Sequence, residues 1–392
     1  MTANYVPYHM HSHDSMLDSC TDFKEYVDLC VENGIKAIAS TEHGKPLCWV
    51  AKKMYCESKG IKFIHGVECY IAPTLEKNER IAWHTVLLAK NYAGVLELNE
   101  LISRSTDEEH MYYVNRISFD EFLGISDNII KISACIASPL SKMSPSHPRY
   151  MELARHYDYL EIQPHPRSSA QKAYNQWLLK LSKEIGKPLI CGTDTHSSTP
   201  YKEECRNVLM LAKGKYYADE SEFDLTFKTY DQLVEMFREQ AAIPEEEYMQ
   251  AIENTNVMAD SVEDFTLDRS NKYPVSYGSP EKDAEIFEKR VETMFAEKIE
   301  NGIIPPDQIA GFRKAIDEEL AVFRKLGMMG FMLSMSELIS WCKQMGYATG
   351  TARGSVGGSR VAYVTDIIDM NPETWNTNFA RFCNEHRVEL GL

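Results

Sequence analysis

Two histidines stand two apart in His9-Met10-His11, and the same spacing returns in Asp194-Thr195-His196. On an extended strand, residues two apart point to one face, so both side chains of each pair can reach a single ion. Between the pairs lie His43 after Thr41-Glu42 and Glu68 after Gly66-Val67. Neutral imidazoles suit Zn²⁺, while the carboxylates also accept Mn²⁺ or Mg²⁺. Ions a few ångströms apart lower the pKa of a bridging water and clamp the attacking and leaving oxygens of a phosphodiester. Such chemistry needs no Ser or Cys nucleophile.

The elements that must position these residues are legible as short apolar runs alternating with helix-like stretches up to about residue 200. The runs are Tyr5–His9, Ile35–Ser40, Lys62–Ala72, Thr85–Ala89, Asn128–Ser133, Tyr159–Ile162 and Pro188–Gly192. Between the first two, Phe23, Tyr26, Val27 and Cys30 recur at helical spacing, and Gly34 is a helix stop. Strand, helix, strand repeated in this way reads as α/β, either a barrel or an open sheet. Most of the ligand-type residues fall at the C-terminal ends of runs, where α/β barrels carry their chemistry.

These residues carry a family resemblance. His9-Met10-His11-Ser12, Ser15-Met16-Leu17-Asp18, Thr41-Glu42-His43-Gly44, Gly66-Val67-Glu68-Cys69-Tyr70, His84, Cys135 and Asp194-x-His196 resemble the PHP (polymerase and histidinol phosphatase) domain. The match is to the form found at the front of DNA polymerase III alpha subunits. The resemblance implies a distorted (β/α)7 barrel with a mostly helical extension, holding two or three divalent ions, Zn²⁺ or Mn²⁺ with Mg²⁺ or Fe as alternatives. It implies that His9, His11, Glu68 and Asp194 hold one ion, that Glu68, His84 and Cys135 hold a second, and that Asp18, His43 and His196 hold a third. The nucleophile would be a hydroxide on those ions, and the activity 3′→5′ exonuclease (proofreading) or phosphatase.

A second cluster, Gly350 to Ser359, mixes Gly, Ser and Arg353. Glycines let backbone N–H groups approach an anion, and Arg353 could fork onto a phosphate, but the run lacks the ending of a Walker A loop. Gly330-Phe331, this loop, Val361-Ala362-Tyr363, Asn371-Pro372 and Phe379-x-Arg381-Phe382-x-Asn384-x-x-Arg387-Val388 resemble, in order, the first part of the DNA polymerase III palm. The resemblance makes Arg353, Gly354, Ser355, Gly358, Ser359, Arg381 and Arg387 candidate nucleotide or phosphate contacts in an incomplete α+β palm. Thr351-Ala352, Val356-Gly357 and Arg360 depart from the family's usual pattern. The family places a pair of metal-binding aspartates shortly after the Arg-Val stretch, and Val388-Glu389-Leu390-Gly391-Leu392 contains none. The expectation is therefore an expressed fragment or one piece of a split polymerase, not competent to extend a primer alone.

The intervening residues, roughly 203–263, are acidic and helical, and Asp268–Pro280 is rich in Ser, Gly, Pro and Asn. The expected organisation is residues 1–265 for the metal-binding domain with its extension, 266–280 as linker, and 281–392 for the palm portion. In the last, Ile309, Phe312, Ile316, Leu320 and Phe323 form an apolar stripe ended by Gly327, and Ser334 with Glu337 reads as a capping box for a helix running toward Gln344.

A net charge of −16 argues against a module that simply coats nucleic acid, though not against an enzyme that meets DNA through bound cations. The ten cysteines are scattered without a C-x-x-C pair, as in a reducing compartment, and no apolar run is long enough to span a bilayer. A cytoplasmic protein is expected, without membrane contact. The implied partners are DNA, the remainder of the polymerase or other replisome subunits, and a deoxynucleoside triphosphate only in a complete polymerase. Two rival readings stay open: a PHP domain that is a structural metal-binding scaffold of the replicase, and a small-molecule phosphatase.

Overall fold

The computed structural model describes residues 4–214, 222–268 and 272–384. The chain divides into two compact units, Met1–Thr266 and Leu267–Leu392.

The first unit contains β1 (Ala37–Ser40), β2 (Lys62–Ala72), β3 (Trp83–Ala89), β4 (Arg116–Ser118), β5 (Ile129–Ile132), β6 (Leu160–Ile162) and β7 (Leu189–Cys191). β1 pairs with β2 in parallel, β2 with β3 and β3 with β5 antiparallel, and β6 with β7 in parallel. Single bridges carry the pairing onward, Ile132 to Tyr159 and Thr195 to Met10. The amide of Ala39 then donates to the Pro7 carbonyl at 3.0 Å. The hydrogen bonds thus pass around a full ring, a distorted barrel of β1, β2, β3, β5, β6, β7 and the segment 5–11.

Two expectations change. The run Tyr5–His9 is extended but is no regular strand. Pro7 has no N–H, Val6 N donates to Thr255 Oγ1 (2.9 Å), and Met10 N donates to Thr41 Oγ1 (2.8 Å), so side chains take bonds that a ladder would otherwise supply. β4, which no apolar run announced, pairs in parallel with the end of β2 and lies outside the ring.

Alternation along the strands separates two clusters. Ala37, Ala39, Ile64, Val86, Leu88, Ile130 and Ile132 fill the interior with Met258, Ala259 and Val262. Ile38, Phe63, Leu87 and Ile129 face the helices. Among those helices, Phe23–Glu32 starts at Asp22, whose carboxylate accepts from Lys24 N while Glu25 returns a bond to the cap backbone, and it buries Phe23, Tyr26, Val27 and Cys30. Glu68 lies on the interior face of β2 with Ile64, opposite Val86.

In the second unit, the helices Pro280–Glu300, Ile309–Lys325 and Met329–Gln344 pack Phe287, Val291, Phe312, Ile316, Phe323 and Leu333 into one core with Val361 and Val364. No strand occurs among its described residues, so the α+β character expected of a palm portion is absent from them. The expected capping box does not form. The helix has already begun at Met329, Ser334 Oγ donates to Gly330 O (2.9 Å), and Glu337 accepts from the Tyr277 hydroxyl (2.6 Å). Nor is 272–280 a free linker, because Ser276 N and Tyr277 N both donate to Asp283 at 2.8 Å. Among the described residues, no helix is long and apolar enough to cross a membrane.

Candidate metal centre

Nine side chains converge at one end of the barrel. His9 and His11 come from the extended segment, Asp18 from the loop after it, and His43 from just beyond β1, bridged to Glu68 of β2. Cys135 follows β5, and Asp194 and His196 follow β7. His84 joins them from the start of β3. That strand runs antiparallel to β2, with His84 opposite Tyr70, so its first residues lie where its neighbours end. Left-handed backbone turns at or beside several of these residues aim them, at Leu17 (φ 65°), Ala134 (φ 60°) and Asp194 (φ 47°).

Glu68 is the hub. Its Oε1 lies 2.8 Å from His84 Nδ1 and 3.1 Å from His9 Nε2, and its Oε2 lies 2.7 Å from His43 Nδ1 and 3.6 Å from His11 Nε2. Asp194 Oδ1 is 3.3 Å from both His9 Nε2 and His11 Nε2. Asp18 Oδ2 is 2.8 Å from His43 Nε2 and 3.5 Å from His196 Nε2. Cys135 Sγ is 3.7 Å from His84 Nδ1. Three groups have their ligand atoms within 4.8 Å of one another: His9, His11 and Asp194; His11, His43 and His196; and Glu68, His84 and Cys135.

The clustered side chains shift one another's charge states strongly. Burial alone would raise the Glu68 carboxyl, yet the adjacent His84 and His43 hold it well below the ordinary range. Burial opposes charge on His43, but Glu68 and Asp18 on either side push it up to about 10. His9 is likewise raised, against its burial, by Glu161 and Asp194. His11 goes the other way, to about 3, through burial and repulsion from His43 and His196. Burial, with Asp194 and Glu68 nearby, raises the Cys135 thiol. His11 Nε2, His43 Nδ1 and Glu68 Oε2 are buried without a hydrogen bond of acceptable geometry. Orphaned buried polar atoms are costly. Lone pairs of this kind, turned toward shared centres, fit divalent ions as ligands.

Residues 7–187 match the PHP domain family model. The first unit carries a PHP domain. Residues 285–391 match the model described as the Bacterial DNA polymerase III alpha NTPase domain. The DNA polymerase III subunit alpha of Chlamydia pneumoniae is 27% identical over 458 residues, covering 98% of this chain and 36% of that protein. That of Helicobacter pylori strain J99 is 27% identical, covering 97% of this chain and 34% of that protein. The chain is thus alpha-subunit-like along its length and spans about a third of the curated relatives it matches. An amidohydrolase structure from Chromobacterium violaceum aligns with 50% of this chain and 88% of its own at 15% identity, with a TM-score of 0.35.

The PHP centre sits in the wall of an open cleft of about 960 Å³, also lined by Lys45, Lys142, Lys213, Tyr70, Met111 and Tyr113. Tyr113 is 83% exposed and has φ 63°. Behind the ligand-type residues stand partners to which sequence reasoning assigned no role. Glu161 holds His9 Nδ1, Glu42 holds Ser15 beside His11, and Arg206 Nη2 reaches Asp18 Oδ1 at 2.9 Å. The signal available for Glu161 was a carboxylate in the middle of an apolar run.

The candidate nucleotide residues in the second unit separate. Arg353, Gly354, Ser355 and Arg381 are exposed. Gly358 and Ser359 are buried. Ser359 Oγ donates to Glu319 (2.7 Å) and accepts from Ala362 N (3.0 Å) as the cap of Arg360–Val364, and a Cβ at Gly358 would lie 2.4 Å from Asn378 O. Those two positions are structural in this arrangement. Arg387 lies outside the described residues.

Proposed function

We propose that the chain hydrolyses phosphoesters at the PHP cleft, acting as a 3′→5′ exonuclease on DNA with two or three divalent ions. The observation that carries this reading is the convergence of three ligand groups around Glu68 in the wall of a cleft lined by lysines and tyrosines. Glu68 would be shared between the ion of His9, His11 and Asp194 and the ion of His84 and Cys135. Asp18, His43 and His196 would hold the third. Bound there, the ions supply the Lewis acidity and the clamp on phosphate oxygens that in-line hydrolysis requires.

The protein's own contribution is to bind and orient. Lys45, Lys142 and Lys213 offer local positive charge to a phosphate backbone, which the overall charge of −16 would otherwise repel. Tyr113, exposed at the cleft, offers a ring face on which an unpaired terminal base can stack. In the setting suggested by the relatives, a cytoplasmic replicase, the partners are DNA and other polymerase or replisome parts. Arg353, Gly354, Ser355 and Arg381 are the remaining candidates for a deoxynucleoside triphosphate, in a complete polymerase.

The test is Mn²⁺- or Zn²⁺-dependent digestion of a 5′-labelled single-stranded or mismatched primer, with Asp194→Ala as control. Stepwise loss from the 3′ end that disappears in Asp194→Ala is the expected result. Metal uptake without any shortening would overturn the nuclease and leave the centre as a structural scaffold. Release of phosphate from small phosphomonoesters, with DNA untouched, would favour a phosphatase.

A further inference from the structure

His9 is held from behind by a carboxylate outside the ligand set, and His11 by a serine that another such carboxylate holds. Glu161 is fully buried, and its Oε1 and Oε2 lie 2.8 and 3.1 Å from His9 Nδ1. The same carboxylate accepts from the Tyr8 hydroxyl (2.9 Å) and from Gln163 Nε2 (2.7 Å). A group that accepts from so many donors leaves the proton of the remaining contact to the imidazole, so His9 Nδ1 is the donor. Its Nε2 is the atom that faces Glu68 and Asp194.

His11 is set by a different route to the same end. Ser15 Oγ gives its one proton to Glu42 Oε2 (2.6 Å) and accepts from His43 N (3.1 Å). Toward His11 Nδ1, 3.2 Å away, it can only accept, so that nitrogen carries the proton as well. Glu42 is anchored in turn by Lys52 Nζ (2.6 Å) and by Ser12 N (2.9 Å). The atom left bare is His11 Nε2, one of the buried atoms without a hydrogen bond.

Space for the first of these carboxylates is made by a glycine. A Cβ on Gly192 would stand 2.3 Å from Glu161 Cδ and 2.4 Å from its Oε1. Any side chain there would drive the carboxylate off His9.

We propose that Glu161, and the Glu42–Ser15 pair, are positioning residues that hold His9 and His11 as Nδ1–H tautomers, so that each presents Nε2 to an ion. A carboxylate behind a ligating imidazole fixes its orientation and raises its basicity, and losing such a partner costs about 10–100-fold in metal affinity. The inference rests on the proposed metal centre but is separable from it.

The experiment uses the full chain, labelled with ¹⁵N-histidine and loaded with Zn²⁺, alongside Glu161→Gln and Ser15→Ala. In the wild-type protein, His9 and His11 should show slowly exchanging Nδ1–H signals and zinc-shifted Nε2 resonances. Chelator competition should give a loss of Zn²⁺ affinity of about 10–100-fold in Glu161→Gln, and a smaller one in Ser15→Ala. If Glu161→Gln does not fold, the wild-type tautomers alone decide. Ligation through Nδ1, or unchanged Zn²⁺ affinity in a folded Glu161→Gln, would overturn the inference and leave the metal centre standing. A wild-type chain that takes up neither Zn²⁺ nor Mn²⁺ would remove the metal centre, and the inference with it.

Discussion

Glu68 borders four imidazoles, and its two oxygens face different ones, His84 and His9 on one side and His43 and His11 on the other. A shared ligand couples the ions it touches, so removing its charge should reduce uptake by more than one ion. Glu68→Gln keeps the shape and loses the charge, and elemental analysis after dialysis against Mn²⁺ or Zn²⁺ is expected to show more than one ion lost relative to the wild type. His84→Ala should lose only one. The i, i+2 spacing paired His9 with His11 and Asp194 with His196, while Asp18, His84 and Cys135 were legible only through the family resemblance. Glu161, Glu42 and Arg206 were not readable in the same way. They act through hydrogen bonds to residues distant in the chain, and such bonds leave no spacing. Ser359 is the opposite case, since a serine in a glycine-rich loop reads as an anion contact while its hydroxyl here caps a helix.

The places of most strands along the chain followed from the apolar runs, but strand direction did not. An apolar run looks the same in either sense, so His84, at the start of its run, joins the common end of the barrel only because β3 runs antiparallel to β2. The short β4 and the segment 5–11 were missed or overread for a related reason, since their bonding depends on partners that only the closed ring brings near. The stretch leading to Tyr113 offers a test at this scale. His110 lies 2.6 Å from Asp107 Oδ1 and 2.9 Å from Glu121 Oε1, tying that stretch to the helix Phe119–Leu123. Partial burial opposes its charge, but the two carboxylates raise its pKa above the ordinary 6.5. The clamp is therefore fully present below pH 6.5 in its contribution to stability and is lost as pH rises through the higher folded value. Amide exchange at residues 105–111, corrected for intrinsic rates, should lose protection as the pH is raised above 6.5 in the wild type, and His110→Asn should flatten the profile. Equal protection across that range in the wild type would count against the clamp.

At the scale of the molecule, carboxylates outnumber cationic side chains, 58 to 42, and several of the closest-packed acids surround the centre. Ions that bind the folded barrel and not the unfolded chain stabilise it by mass action, by about 2.7 kcal/mol at a hundredfold excess over Kd. EDTA should lower the unfolding midpoint of the wild-type chain, and Mn²⁺ or Zn²⁺ should restore it, with Glu68→Gln responding less to either. A midpoint indifferent to chelator and metal would argue against ions at these sites. The ring also has a consequence for how the protein is made. Met10 is bridged to Thr195, and His9 and His11 exchange backbone bonds with that same residue. A ribosome delivers the two histidines well before the threonine, which follows only after the whole circuit of strands has been translated. Until then the segment carrying them can lie only along β1, so translation past Thr195 closes the hoop and first brings the proposed ion-holding residues together.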